Sequence, residues 1–403
     1  MQRTSNTGPA AVHAPDATLE VAVAAGGLRS PRVVMIGAGQ LARMTHQAAI
    51  SLALDFTVVA ASADDAAVRA GAPWRRADPN AYAELEAAVA GADVVTFDHE
   101  RIPPEHLQQL AAGGYNLQPK PAAKLFAQDK AHQRSELARL GFPVPEFAVV
   151  ADATSASAFA RRHGWPLVAK PPRGGYDGRG VFVVADETEL ERLLGEHGTL
   201  LLEPRLDLVA ELAVLTARST SGEAVVYPVV ETVQVDGMCR EIIVPARVSD
   251  AQRAEAQQLA LAISEAIGAT GVVALELFCT RAGLLVNELA LRPHNSGHYS
   301  IEGCVTSQFE QHLRAVVGWP LGSTELVAPA VATVNVVGPP DGSDPRAALP
   351  HALATVRDVH VHLYGKDPRP GRKLGHVTVL AANPDEALAR ARRAAAVLEG
   401  RAQ

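Results

Sequence analysis

Two glutamates, Glu276 and Glu288, lie in apolar stretches on either side of the short turn Arg281-Ala282-Gly283. The flanks, Gly271–Thr280 and Leu284–Ala290, are rich in Val and Leu and read as strands of a hairpin. A three-residue loop with glycine last pairs Thr280 with Leu284, and the continued register sets Glu276 opposite Glu288. Like charges directly across a ladder are destabilising, and buried carboxylates cost more unless compensated. A divalent cation with oxygen ligands is the simplest compensation, and Mg²⁺ beside a phosphate substrate takes one or two carboxylates. Period two carries Ala290, Arg292 and, in an extended chain, His294 onto the Glu288 face. Carboxylates, a guanidinium and an imidazole in a row suit phosphoryl chemistry on an anionic partner. The plainer reading is an edge hairpin with a wet polar face.

Lys170 ends the apolar run Pro166–Ala169 and opens a loop with four glycines, Gly174, Gly175, Gly178 and Gly180. Such a loop lets backbone N–H groups approach phosphates. It is no Walker A loop, because no Gly-Lys-Ser/Thr follows; a bare flexible hairpin is the alternative. The strand Leu200–Glu203 ends in an acid that can hold an adenine amino group or a ribose, and Glu211 begins another strand. The loop from Gly365 to His376 is basic in a chain of net charge −7. Cations interrupted by glycine and proline between two strands suit an anion clamp, against the usual solvated charge run.

The elements that must hold these residues follow from 403 residues, 48% of them hydrophobic and 20% charged: a globular chain of two or three domains. The acidic balance speaks against nucleic-acid binding by bulk charge. No apolar run approaches the roughly 20 residues that span a bilayer. Cys239, Cys279 and Cys304 fit no zinc or disulfide spacing, so a reducing, cytoplasmic setting is expected. Residues 1–30 read as a disordered tail. Strands at Arg32–Ile36, Phe56–Ala60 and Val94–Phe97 alternate with helices, which implies a parallel sheet. The turn Gly37-Ala38-Gly39 invites a dinucleotide reading, but no acid ends the second strand; a tight turn packing helix on sheet also fits. Asp98, His99 and Glu100 stand where open sheets bind ligands, although Asp98 also suits a helix cap. One helix over Pro121–Leu140 leads to a βαβ-like stretch: Phe147–Val150, helix 154–163, Pro166–Lys170. A final β-rich region holds Ala330–Val337 and Val359–Tyr364, and helix 384–398 closes the chain.

Five stretches together resemble the ATP-grasp superfamily and, within it, the 5-(carboxyamino)imidazole ribonucleotide synthase family. They are GAGQLARM at 37–44, TFDHE at 96–100, GGYDGRG at 174–180, NELALRPHNSGH at 287–298 and GRKLGH at 371–376. The resemblance covers about residues 32–398 and implies an α/β fold in three parts. These are a Rossmann-like pre-ATP-grasp domain (31–125), a two-lobed ATP-grasp domain (126–325) and a small C-terminal domain (326–403). It implies ATP- and bicarbonate-dependent carboxylation of 5-aminoimidazole ribonucleotide through carboxyphosphate, in purine biosynthesis, by a cytoplasmic homodimer.

By the same resemblance, Lys130 and Lys170 contact ATP phosphates. The flap is formed by Gly175, Tyr176, Asp177, Gly178, Arg179, Gly180 and Val181. Glu203, Pro204, Arg205 and Leu206 meet the adenine, Glu211 holds the ribose, and Gln234 and Asn287 adjoin the nucleotide. Glu276 and Glu288 ligate Mg²⁺, while Arg292, His294 and Asn295 bind bicarbonate. Tyr176, Asp177 and Arg179 close over the ribonucleotide, whose 5′-phosphate falls to Lys366, Arg372 and Lys373. Leu291 stands where the family has a proline. Rival readings are a formate-using or biotin-carboxylating relative, an NAD-dependent oxidoreductase built on the first domain, and a nucleotide-binding regulatory protein.

Overall fold

Two strand ends meet where the first sheet changes direction, and there the chain places Gly37–Gln40 beside Asp98–Glu100. The computed structural model describes residues 29–175 and 180–401. All but the last two residues of the expected tail, and the flap residues Tyr176, Asp177, Gly178 and Arg179, lie outside that range. The first sheet is parallel, in the order Trp74–Arg76, Asp55–Ala60, Arg32–Ile36, Val94–Phe97. Val33–Ile36 and Val94–Phe97 are buried throughout, as a parallel sheet covered on both faces requires. The extra strand Trp74–Arg76 escapes sequence reading because its three residues are all exposed and carry no alternation.

The expected helix over Pro121–Leu140 is two helices, Pro121–Gln128 and Lys130–Arg139. Asp129 breaks them: its backbone is extended, and its carboxylate accepts from the His132 N–H at 2.9 Å to cap the second helix. The break turns Lys130 toward the glycine-rich loop, where its N–H donates to Pro172 O at 2.7 Å.

The βαβ-like stretch is a split unit. Leu200–Pro204 inserts antiparallel between Ala148–Val150 and Leu167–Lys170, and Phe182–Val184 completes four strands. A strand that arrives thirty residues later leaves no mark on the earlier pattern. Helices Ala153–His163 and Glu187–His197 cover this sheet through Phe159, Leu190 and Leu193.

The third sheet is antiparallel and has nine strands. Its order runs from Gly283–Ala290 through Gly271–Thr280, Leu208–Arg218, Val230–Val235, Met238–Val244, Ala330–Val337 and Lys373–Ala381 to His360–Leu363, with Ala224–Val226 on Leu208–Arg218. The glutamate hairpin therefore forms one edge, and the strands flanking the basic loop form the other. Helix Pro384–Leu398 buries Leu388, Ala391 and Ala395 against the far end. Among the described residues no helix is long and apolar enough to cross a membrane.

Candidate active site

The hairpin reaches the expected Glu276–Glu288 pairing by an unexpected route. Thr280 pairs with Gly283 and Cys279 with Leu284, so the loop is the two residues Arg281-Ala282 and not three. Continued regularly, that register would set Glu276 against Asn287. A bulge between Glu276 and Leu277 absorbs one residue, so Leu277 faces Val286 and Glu276 faces Glu288. A bulge leaves one residue of the ladder unpaired and re-aims side chains. Here the buried Arg134 secures it: Nη1 donates to Val286 O at 2.6 Å and Nη2 to Asn287 O at 3.1 Å. The re-aimed Asn287 lies between two groups of the site, with Oδ1 3.5 Å from Lys170 Nζ and Nδ2 3.5 Å from Glu276 Oε2.

Lys170 is buried at the end of its strand, 2.7 Å from Glu203 Oε2. Arg134 Nη2 lies 2.5 Å from the other Glu203 oxygen. Burial alone would raise the Glu203 carboxyl, but Lys170 and Arg134 outweigh it and hold the group below its ordinary range. The carboxylate is thus committed to two cations. It orients Lys170, and what remains for a base is the strand-end backbone, with Pro204, Arg205 and Leu206 also at the cleft wall. Glu211 lies opposite Phe278 and bonds the Gln234 side chain; burial raises its carboxyl.

Glu276 is the most perturbed acid of the site. Burial, then Glu288 and Glu211, push its pKa up to about 8, partly opposed by Lys373 and Arg292. Among the described residues no group of three His, Cys, Asp or Glu side chains makes a metal cage. Two facing carboxylates with an adjacent amide are the oxygen set that Mg²⁺ accepts when phosphates supply the remainder. The positive charge that this acidic pair lacks is what such an ion brings.

The strand ends at Ala290, so Arg292 and His294 reach the site from a loop and not by strand alternation. Leu291 packs among Leu275, Leu289 and Ile263 and works as an apolar anchor for that loop. Gln308 grips the loop from below: its Oε1 accepts from His294 N–H at 2.8 Å, and its Nε2 donates to His294 O at 2.8 Å. His294 Nδ1 lies 2.9 Å from Ser296 Oγ and accepts from the Ser296 N–H at 3.3 Å, and its Nε2 lies 3.6 Å from Glu276 Oε1. Asn295 has both side-chain polar atoms buried without a protein partner at the cleft wall, as a ligand-binding amide would.

Arg292 Nε lies 3.2 Å from Glu100 Oε1. The other Glu100 oxygen is 2.5 Å from Lys124 Nζ, a wholly buried ammonium that also donates to His99 O at 3.0 Å. Burial raises the Glu100 carboxyl, yet Lys124 and Arg292 leave it below its ordinary range. The first sheet therefore fixes the guanidinium through Glu100. Asp98 takes a different part: its Oδ2 accepts from the Gly39 N–H at 2.7 Å. A carboxylate thus occupies the helix N-terminus that the dinucleotide reading gave to a phosphate. Gly37, at φ +108°, is required there, since a Cβ would fall 1.6 Å from Asp98 Oδ1.

Lys130 Nζ donates to Gly174 O at 2.9 Å, tying the base of the flap to the helix break. Gly175 and Val181 line the cleft on either side of the undescribed flap residues, and Gly180, at φ +80°, brings the chain back past Gly175. Across the cleft, Lys366 Nζ lies 3.4 Å from Lys373 O and 5.3 Å from the Tyr364 ring centre, while Arg372 Nη1 donates to Asp367 O at 3.0 Å. Lys373 heads its strand and is buried, within electrostatic reach of Glu276. Lys170, Glu276, Glu288, Arg292, Asn295 and Lys373 all open on one cleft of about 2310 Å³. Pockets for a single drug-sized ligand measure about 300–1,000 Å³, so this one has room for two substrates. Sequence reasoning missed Arg134, Lys124 and Gln308, which are polar residues on helices with no local signal of burial.

Known proteins share this fold. Residues 31–128 match the ribonucleotide synthetase preATP-grasp domain, 135–309 the ATP-grasp domain, and 332–390 the phosphoribosylaminoimidazole carboxylase C-terminal domain. N5-carboxyaminoimidazole ribonucleotide synthase of Mycobacterium tuberculosis is 46% identical over 374 residues, covering 91% of this chain and 87% of the relative. The chain belongs to the N5-carboxyaminoimidazole ribonucleotide synthase family. Among solved members, carboxyaminoimidazole ribonucleotide synthase of Aspergillus clavatus complexed with ATP superposes with a TM-score of 0.84 at 30% identity, covering 93% of this chain and 99% of that one. N5-carboxyaminoimidazole synthase of the same organism, in complex with ADP and 5-aminoimidazole ribonucleotide, gives 0.82 at 30% identity, covering 92% and 99%. This synthase family fits a cleft built for two ligands.

Proposed function

We propose that this member of the family, an ATP-dependent carbon–nitrogen ligase, joins bicarbonate to the exocyclic amine of 5-aminoimidazole ribonucleotide, releasing ADP and phosphate. The observation that carries the proposal is the convergence, on one cleft, of the Lys170 phosphate site, the Glu276–Glu288 pair and the Arg292–Asn295 loop. ATP lies between the small antiparallel sheet and the hairpin. Lys170, and Lys130 at the flap base, face its phosphates, and the flap from Gly175 to Val181 covers them. The strand end at Glu203–Leu206 meets the adenine, Glu211 the ribose, and Gln234 and Asn287 flank the nucleotide.

Glu276 and Glu288 would hold Mg²⁺, whose chemistry there would be neutralisation of phosphate charge. Arg292, held by Glu100, and the imidazole of His294 and amide of Asn295 present donors to bicarbonate. A bicarbonate oxygen attacks the γ-phosphorus and ADP leaves, giving carboxyphosphate. The same preorganised donors face the charge that develops on the carboxyl oxygens. The amine then attacks the carboxyl carbon, directly or as released CO₂; it loses a proton, and phosphate departs with the bridging oxygen. Lys366, Arg372 and Lys373 hold the 5′-phosphate of the ribonucleotide, with Tyr176, Asp177 and Arg179 closing over it.

ADP release measured with Mg²⁺-ATP and 5-aminoimidazole ribonucleotide in degassed buffer tests this directly. Turnover should appear on adding bicarbonate. ATP cleavage indifferent to bicarbonate would overturn the reading and leave an ATP-grasp enzyme with another acceptor.

A further inference from the structure

Three imidazoles form a column beneath the cleft. His362 and His376 are directly opposed on neighbouring strands, and their rings stack with centroids 4.5 Å apart and planes 17° from parallel. On its other side His376 stacks on His298, at 4.7 Å and 24°. His298 ends the loop that carries Arg292, His294 and Asn295, whereas His376 lies three residues after Lys373. The column therefore spans from the strands of the basic loop to the loop assigned to bicarbonate.

Each ring is tethered. The Tyr364 hydroxyl lies 2.7 Å from His376 Nδ1, and His362 Nε2 lies 2.6 Å from Glu302 Oε1. Gln308 Nε2 donates to His298 Nδ1 at 3.1 Å while the same amide holds both backbone groups of His294. At the other end the Tyr364 ring faces the Lys366 ammonium, and the Tyr364 N–H donates to Leu374 O at 2.9 Å. A contact needed only for packing would be cheaper in leucine or phenylalanine, because His298 and His376 each bury an Nε2 with no protein partner. Burial and the neighbouring cations hold both rings well below the ordinary imidazole range, so they stack as neutral rings.

We propose that the His298–His376 stack sets the spacing between the Lys366–Lys373 clamp and the His294–Asn295 loop, which makes His376 a positioning residue for carboxyl transfer. The inference rests on the function proposed above, in which one loop activates bicarbonate and the other holds the amine substrate. Reacting atoms must be held about 3–3.5 Å apart, and a misplacement of about 1 Å costs on the order of 100-fold. A loosened joint leaves each half-site intact but mismatched. Carboxyphosphate then forms and decays before the amine captures it.

The test compares ADP released with ¹³C carboxylate incorporated from labelled bicarbonate, in the full-length enzyme. The wild type should give about one product per ADP, since each carboxylation consumes one ATP. His376→Leu should lower that ratio about fivefold or more while leaving the half-saturating ATP concentration unchanged. Tyr364→Phe, which removes only the tether, should lower it more mildly and serves if His376→Leu does not fold. A ratio that stays at one in the folded variants, whatever their rate, overturns the positioning role. Absence of label in wild-type product would instead overturn the proposed function.

Discussion

Arg134 and Glu203 form an ion pair, Nη2 to Oε1 2.5 Å, with both side chains almost wholly buried. The same guanidinium bonds the carbonyls of Val286 and Asn287 at the bulge, and the same carboxylate orients Lys170. One pair thus links the register of the Glu276–Glu288 hairpin to Lys170. Breaking a buried pair by removing one partner costs about 3–5 kcal/mol, because the other charge is stranded. Arg134→Met should destabilise the fold by that order in urea unfolding. Activity in the surviving folded protein should drop as well, and a loss below about 1 kcal/mol would show that the bulge is held by other means.

The facing carboxylates give the next expectation. Glu288→Gln keeps the shape of the side chain and removes one of the two carboxylates proposed to hold Mg²⁺. ADP formation should fall at least about 100-fold, the scale for losing one preorganised electrostatic contact at the reacting centre, while circular dichroism and melting stay near wild type. Chelation of Mg²⁺ should have the same effect on the unmodified enzyme and be reversed by added Mg²⁺. Near-normal turnover by the variant would remove Glu288 from the metal site.

Much of this chemistry was legible in the sequence, but the geometry behind it was not. Valine and leucine flanking Arg281-Ala282-Gly283 announced a hairpin, and its glutamates do face each other. The turn is one residue shorter than its glycine suggested, and the bulge that restores the pairing depends on Arg134, 152 residues away from Val286. Asp98 and Glu100 could both be read as ligand contacts after a strand, and Asp98 also as a helix cap. Only the fold separates them, by bringing Gly39 to one and Lys124 with Arg292 to the other. The two cations that flank Glu203 come from a distant helix and a distant strand. In each case the missing information is long-range.

His312 should make the fold sensitive to acid. Its ring is wholly buried between two sheets: Nδ1 accepts from the Val272 N–H at 3.0 Å, and Nε2 bonds Thr96 Oγ1 at 2.8 Å. Burial, with Lys124 nearby, pushes its pKa down to about 3. A depressed histidine contributes stability that is complete above its unfolded value near 6.5 and is lost as pH falls toward the folded value. Between pH 7.5 and 5 that loss is about 2 kcal/mol. His312 should contribute a fall of this size to the wild-type pH profile. His312→Gln should be less stable at pH 7.5 but fall less steeply; parallel profiles would show that His312 takes up its proton alike in the folded and unfolded states.

The most direct measurement concerns the fate of a bicarbonate oxygen. Bicarbonate labelled with ¹⁸O is mixed with enzyme, Mg²⁺-ATP and 5-aminoimidazole ribonucleotide, and the phosphate is quenched before label exchanges with water. If bicarbonate attacks the γ-phosphorus beside Glu276, Glu288 and Arg292, its bridging oxygen leaves with phosphate, and each phosphate carries one ¹⁸O. Phosphate free of label, with product still formed, would contradict activation of bicarbonate by phosphorylation at this site.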